Sequence, residues 1–288
     1  MIAVFILLGT VMLCFFIFSL YKFRSLKKWI YIVLFINFII YSFLIYMVLN
    51  EGGLKFIQQR FLDSNTKIEK AYAEKISKRI VNVIPIKDRV LLDAPIINQF
   101  PELPRGCEVT SLAMLLQYKG IQTDKMELAE KVKKDSTPLK KENGMIYWGS
   151  PNNGFIGDMY SYSNPGYGVY HNPIKELAEK FLPGQIVDLT GKDFEELKIF
   201  LSQDIPVWII INTTYKKLPD NLFETWQTPD GELKITYKEH SVLITGYDEQ
   251  NIYFNDPISG EKNKKVIKED FIEAWKQMGN QAVTYLPE

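Results

Sequence analysis

The chain is short of cysteine. It has two, Cys14 and Cys107, in 288 residues. A scaffold held by several disulfides is excluded, and so is a zinc site built from paired cysteine clusters. Histidine is as scarce, with only His171 and His240. No metal-ligand cluster can be read from that pair, and no cofactor is expected. Neither sign of charge dominates: 34 acidic residues balance 34 basic ones. Broad binding to nucleic acid therefore has no support. A GxxxxGK[ST] phosphate loop is absent, so no ATP-binding cassette domain is encoded. Internal repeats and low-complexity tracts are absent too.

What is present is uneven. Residues 2–20 and 29–49 form two runs without a single charge. Each matches the ~20 residues a helix needs to cross a bilayer. The loop between them carries Lys22, Arg24, Lys27 and Lys28, with Tyr21, Trp29 and Tyr31 at its edges. Basic short loops face the cytoplasm, and such aromatics suit the membrane interface. The pattern predicts a two-helix hairpin over residues 1–50, with both ends outside. A cleaved signal peptide is the competing reading. It lacks a basic leading region and a small-residue cleavage site. The expectation is a multi-pass protein of the cell membrane. Its partners are the lipid bilayer and whatever the outer domain works on, and a separate membrane partner is compatible with the hairpin.

Residues 51–89 read as a polar connector, with Ile68, Tyr72, Ile76 and Ile80 at helical spacing. Residues 90–288 read as the compact domain. It opens on an extended lead-in, "RVLLDAPIINQF". A buried helix from Cys107 to Tyr118, ended by Gly120, and a second helix capped by Asp124 follow. A long stretch rich in glycine, asparagine and proline covers residues 142–173. Two more helices start near Pro173 and Asp193. Beyond them, "PVWIIINT", "ELKITY", "HSVLITGYD", "NIYFND" and "KKVIK" read as strands, "KEDFIEAWKQM" as a helix and "QAVTYL" as a last strand. Helices first and antiparallel strands after is an α+β pattern.

Cys107 opens a helix, in a domain that offers it no cysteine partner. Outside the cytoplasm a leftover cysteine is either an intermolecular bridge or a working thiol. A helix N-terminus favours negative charge, which lowers a thiol's pKa and raises the share of nucleophilic thiolate. A small buried side chain is the alternative. A thiolate needs a base, and His171 and His240 are the two candidates. His240 opens a rigid strand. The next strand ends in "NDP", and a turn at "DEQ" would return Asn255 and Asp256 to His240's end. That favours His240, with Asp256 to orient its ring. An oxyanion hole would take the Cys107 backbone N–H, with Gln99 as a side-chain donor. In the 142–173 stretch, Trp148, Tyr160, Tyr162, Tyr167 and Tyr170 suit contact with a peptide. They equally suit glycans, or plain packing of the loop. Trp148, Tyr167 and His171 are the candidate substrate contacts.

The blocks "NQFPELPRGCEVTSLAMLLQYKG", "WGSPNNGFIGDMY", "GYGVYHNPI" and "HSVLITGYDEQNIYFNDPISG" resemble the bacteriocin-processing double-glycine peptidases, and more closely their stand-alone branch of papain-like cysteine peptidases in Gram-positive bacteria. The resemblance runs from about residue 91 to 286. It implies a papain-like fold, with Cys107 as nucleophile, His240 as base, Asp256 as orienter and Gln99 as oxyanion donor. Two departures stand out. Transporter-linked relatives have Asp-Cys-Gly where this chain has Gly106-Cys107-Glu108, and Gln99 lies two residues farther from the cysteine than in them. The expected function is a membrane-tethered, extracytoplasmic cysteine peptidase. The alternatives are a catalytically silent module binding peptide or cell-wall polymer, and a thiol acyltransferase.

Overall fold

A computed structural model describes residues 35–43, 46 and 85–287. The chain divides into two compact units, Met1–Asn82 and Val83–Glu288. The division falls inside the stretch that reads as a connector. In the first unit the described residues are helical, with Phe35, Ile39 and Phe43 exposed. The rest of the hairpin and nearly all of the connector lie outside the described residues. Among the described residues no helix is long and apolar enough to cross a membrane.

The second unit is built on a seven-stranded antiparallel sheet. Its strands are β1 (Val90–Leu91), β6 (Ile186–Asp188), β7 (Val207–Asn212), β10 (Glu239–Tyr247), β11 (Asn251–Asp256), β12 (Glu261–Ile267) and β13 (Ala282–Tyr285). The order is β12-β11-β10-β7-β13-β6, with β1 paired to β10. β7 and β10 are buried along nearly their whole length, so they read as continuous apolar runs rather than alternating ones. Five helices accompany the strands: α1 (Cys107–Tyr118), α2 (Lys125–Lys131), α3 (His171–Glu179), α4 (Phe194–Leu201) and α5 (Lys268–Gln277). The α+β reading holds, and α4, β7, β10, β11, β12, α5 and β13 fall where the sequence places them, whereas β6 has no counterpart in the sequence reading. α3 begins two residues before Pro173, so the proline sits in its first turn.

α1 is the central helix. Residues 107 to 116 are all buried, the mark of a helix covered on every side. It packs against β10, β7, α2 and α3. Two bonds lock its height over the sheet: Ser111 Oγ donates to the Ser241 carbonyl at 3.1 Å, and the Trp208 indole N–H to the Glu108 carbonyl at 2.9 Å. Gly106 precedes the helix because a Cβ there would meet Leu103 Cβ at 2.5 Å. Asp124 caps α2 by accepting from the amides of Met126 and Glu127. Asp193 does the same for α4 through Glu196. Each cap satisfies amides that the helix itself leaves unpaired.

The 142–173 stretch differs from its sequence reading. A second, four-stranded sheet is made by β3 (Lys140–Glu142), β4 (Met145–Tyr147), β8 (Glu224–Thr228) and β9 (Gly231–Ile235). β4 and β8 pair in parallel, although they are far apart in the chain. β5 (Phe155–Ile156) pairs with β2 (Lys134–Asp135). These strands are two to five residues long, and although β3–β4 and β8–β9 are local hairpins, the β4–β8 and β2–β5 pairings join distant segments, which local pattern cannot reveal. Trp226 fills the space beneath, with Trp148 and Tyr167 each at a ring distance of 5.0 Å.

Candidate active site

Cys107 is the first residue of α1 and is buried. Its Sγ donates to Glu108 Oε2 at 3.3 Å. The Ser241 backbone N–H hydrogen-bonds the sulfur, and the Glu239 carboxylate lies close enough to act on its charge. The sulfur and one carboxylate oxygen from each of Glu108 and Glu239 lie within 4.8 Å of one another. Helix position alone predicts a lowered thiol pKa. The surroundings reverse that. Burial pushes the Cys107 thiol well up, the negative charges of Glu108 and Glu239 push it further, and only the Ser241 amide opposes them.

His240 lies on β10 with no exposed surface. Strand pairing brings the ends of β10 and β11 together, with Leu243 opposite Asn255. His240 Nε2 and Asp256 Oδ1 are then 3.0 Å apart. Asp256 also accepts from the Ile258 amide at 3.0 Å, the Tyr215 hydroxyl at 2.8 Å, the Ser259 hydroxyl at 2.8 Å and the Lys264 ammonium at 2.9 Å. Burial works to raise its pKa. The hydrogen bond and charge of His240, then Lys264 and Tyr215, outweigh burial and hold the carboxyl far below its usual range. With Nε2–H committed to Asp256, the hydrogen-bond network assigns Nδ1 as the free acceptor. Nδ1 is buried and has no partner.

The three residues named for nucleophile, base and orienter are thus brought into one region. Cys107 is hydrogen-bonded by the Ser241 amide and lies within 4.8 Å of a Glu239 oxygen, the residues on either side of His240. The thiol's own hydrogen bond goes to Glu108 and not to the imidazole. Free enzymes commonly hold such contacts loosely and tighten them on substrate.

The remaining named residues fall elsewhere. Gln99 is buried, and both hydrogens of its amide are shared with carbonyls, Leu103 at 3.1 Å and Pro104 at 2.8 Å. Its backbone amide donates to the Pro257 carbonyl at 2.9 Å, tying the segment before Cys107 to the end of β11. Trp148 and Tyr167 are buried in the aromatic packing around Trp226. Both pack on Trp226, and Tyr167 is also near enough to Glu108 and Glu239 to feel their charges. His171 starts α3, with Nδ1 3.2 Å from Gln281 Oε1 and Nε2 3.9 Å from Asp188. No described contact joins it to Cys107 or His240.

Sequence reasoning missed Tyr215, Ser259 and Lys264 around Asp256, and Glu108 and Glu239 around the sulfur. A signal for Glu108 was present: it is the one charged residue of the helix from Cys107 to Tyr118. Glu239 gave none beyond its position before His240.

The Peptidase_C39 like family matches residues 91–283. The Bacillus subtilis (strain 168) protein YvpB, itself uncharacterized, is 46% identical over 194 residues, 67% of this chain and 74% of that protein. A crystal structure from Bacillus anthracis, described as a C39-like peptidase, is similar with a TM-score of 0.64 and 47% identity. It covers 70% of this chain and 99% of that one.

Proposed function

Because the chain belongs to the Peptidase_C39 like family, a family of papain-like peptidases, we propose that it is a cysteine peptidase using Cys107, His240 and Asp256. In this reading His240 Nδ1 takes the thiol proton. The thiolate attacks the peptide carbonyl carbon, and an oxyanion forms. The imidazolium returns its proton to the leaving amine, which departs and leaves a thioester on Cys107. Water then gives a proton to His240, attacks the thioester carbon and releases the acid, and the thiol is restored. Asp256 fixes the ring tautomer and stabilises the imidazolium. The Cys107 backbone N–H is the first oxyanion donor. Gln99 becomes the second when substrate draws one amide hydrogen away from the Leu103 carbonyl, the longer of its two bonds.

The observation that carries this reading is the buried His240–Asp256 pair, with its free Nδ1, beside a cysteine at a helix mouth. The two uncharged runs of the sequence support a membrane tether in this reading, and the basic loop between them supports a domain outside the cytoplasm. The test is to incubate the full chain in detergent with a peptide library and read the products by mass, beside Cys107→Ala. Products from the parent alone support the proposal. Equal products from both would reject Cys107 as the nucleophile.

One observation favours the silent binding module: the thiol is bonded to Glu108 rather than to the imidazole. In that case peptide or wall polymer binds without turnover, and no library member is cut.

A further inference from the structure

The sulfur of Cys107 sits in a nest of carboxylates that the proposed mechanism does not use. Glu108 comes from its own helix, and Glu239 from β10. Glu108 spends both oxygens: Oε2 accepts from the thiol at 3.3 Å and Oε1 from the Val169 amide at 2.7 Å. Glu239 does not: its Oε1 is inaccessible to solvent and has no hydrogen-bond partner. Among the described residues no lysine or arginine forms an ion pair with either. The loop backbone closes over both. A Cβ on Gly168 would fall 2.4 Å from Glu108 Oε1 and 2.9 Å from Glu239 Oε2. Only a glycine lets the chain pass so close to both carboxylates.

Two carboxylates held this close, Glu108 buried and Glu239 only partly exposed, with no lysine or arginine paired to them among the described residues, resist ionising together. We propose that Glu108 and Glu239 share one proton and act together as a brake on Cys107, holding the sulfur as a neutral thiol in the resting protein. This rests on the reading of Cys107 as the nucleophile. The remaining charge of the pair lies beside the sulfur, so forming a thiolate would set two negative charges side by side. The imidazole of His240 cannot offset this freely, because its counter-charge, Asp256, is already in place at 3.0 Å.

The surroundings agree. Burial and the Glu108 charge push the Glu239 carboxyl well up, and burial lifts Glu108 to about 7 against its hydrogen bonds. From the loop, Tyr167 and Tyr170 face the pair with hydroxyls bonded to each other at 3.0 Å, and burial keeps both neutral. From beyond β7, Tyr215 also stays neutral, bonded to Asp256. Lys264 on β12 is bonded to Asp256. Arg105 is committed to the carbonyls of Asp158 and Ser161. Among the described residues no lysine or arginine forms an ion pair that would relieve the pair. Protonating it removes the charge, and a cationic donor from a bound substrate at Glu239 Oε1 would offset it; either lowers the cost of forming the thiolate.

The test follows alkylation of Cys107 by iodoacetamide across pH 5–10. It uses the full chain in detergent, with Cys14→Ser so that only one thiol reacts, and reads intact mass. In that parent the midpoint is expected above the ordinary thiol value of about 8.5. Glu108→Gln keeps a carbonyl oxygen for the Val169 amide, and Glu239→Gln has no Oε1 bond to lose. Each is expected to lower the midpoint by about one pH unit and to speed labelling at pH 7 by about tenfold. A parent midpoint at or below about 8.5 overturns the proposal whether or not the variants fold. So does an unmoved midpoint in a variant whose circular dichroism matches the parent. Labelling needs no turnover, so absence of peptide cleavage would refute the peptidase reading and leave this result standing.

Discussion

The His240 half of the site and the Cys107 half are built to opposite rules. Around Asp256 every donor is of the right kind: an imidazole, an ammonium, two hydroxyls and an amide converge on one carboxylate. Around Cys107 the neighbours are of the wrong kind. Two carboxylates and a shortage of water disfavour the ionised sulfur. The first half is pre-ordered and stays in one state. The second sits between states, and its chemistry waits on a proton. A saturated polar network fixes geometry, whereas an unsatisfied one carries a cost that something else can relieve.

Breaking either half tests the contrast. The largest effect is expected from Cys107→Ala and from His240→Ala: peptide cleavage falls by at least about 10⁴-fold, to the level left by binding alone. Product formation measured by mass, with a thermal melt as control, checks this. Asp256→Asn is expected to cost about 10²–10⁴-fold in kcat, because the ring loses its tautomer anchor. The same variant sharpens the acid response. The Asp256 carboxyl is held far below its unfolded value, so the stability it contributes is in place above pH of about 4 and fades as pH falls below that. Urea midpoints between pH 2 and 6 should therefore slope less in Asp256→Asn than in the parent. Parallel slopes would show that this network contributes nothing to acid stability.

Smaller effects are expected one step out. Tyr215→Phe removes one hydroxyl from Asp256 and should cost up to about tenfold in kcat, with KM little changed. Lys264→Met removes a partly exposed charge, and about threefold is expected, since such a pair is screened by water. A loss equal to that of Asp256→Asn in either variant would mean that the carboxylate is held by one partner rather than by the whole set.

How far the sequence could be read follows from how local each feature is. The helix that starts at Cys107, the Asp124 and Asp193 caps, and the β10–β11 hairpin that joins His240 to Asp256 all rest on neighbours in the chain. Periodicity, capping and turn residues report those neighbours directly. The parallel pairing of Ile146 with Trp226 does not rest on neighbours, so the stretch around it reads as loop. The same holds for Trp148 and Tyr167, whose flat rings suit a groove or a core equally until Trp226 is placed between them. The departure at Glu108, where transporter-linked relatives carry glycine, is visible in one dimension. Its meaning is not, because Glu239 joins it only when α1 lies on β10.

The place of β13 has a bearing on timing. It is the last strand of the domain in chain order, yet it lies inside the sheet, between β7 and β6. During synthesis the chain therefore lacks an interior rib of its scaffold until residues 282–285 have emerged. A nascent molecule stalled short of them holds Cys107 and His240 on an unfinished sheet, so the proposed site is completed only when the end of the domain has been made.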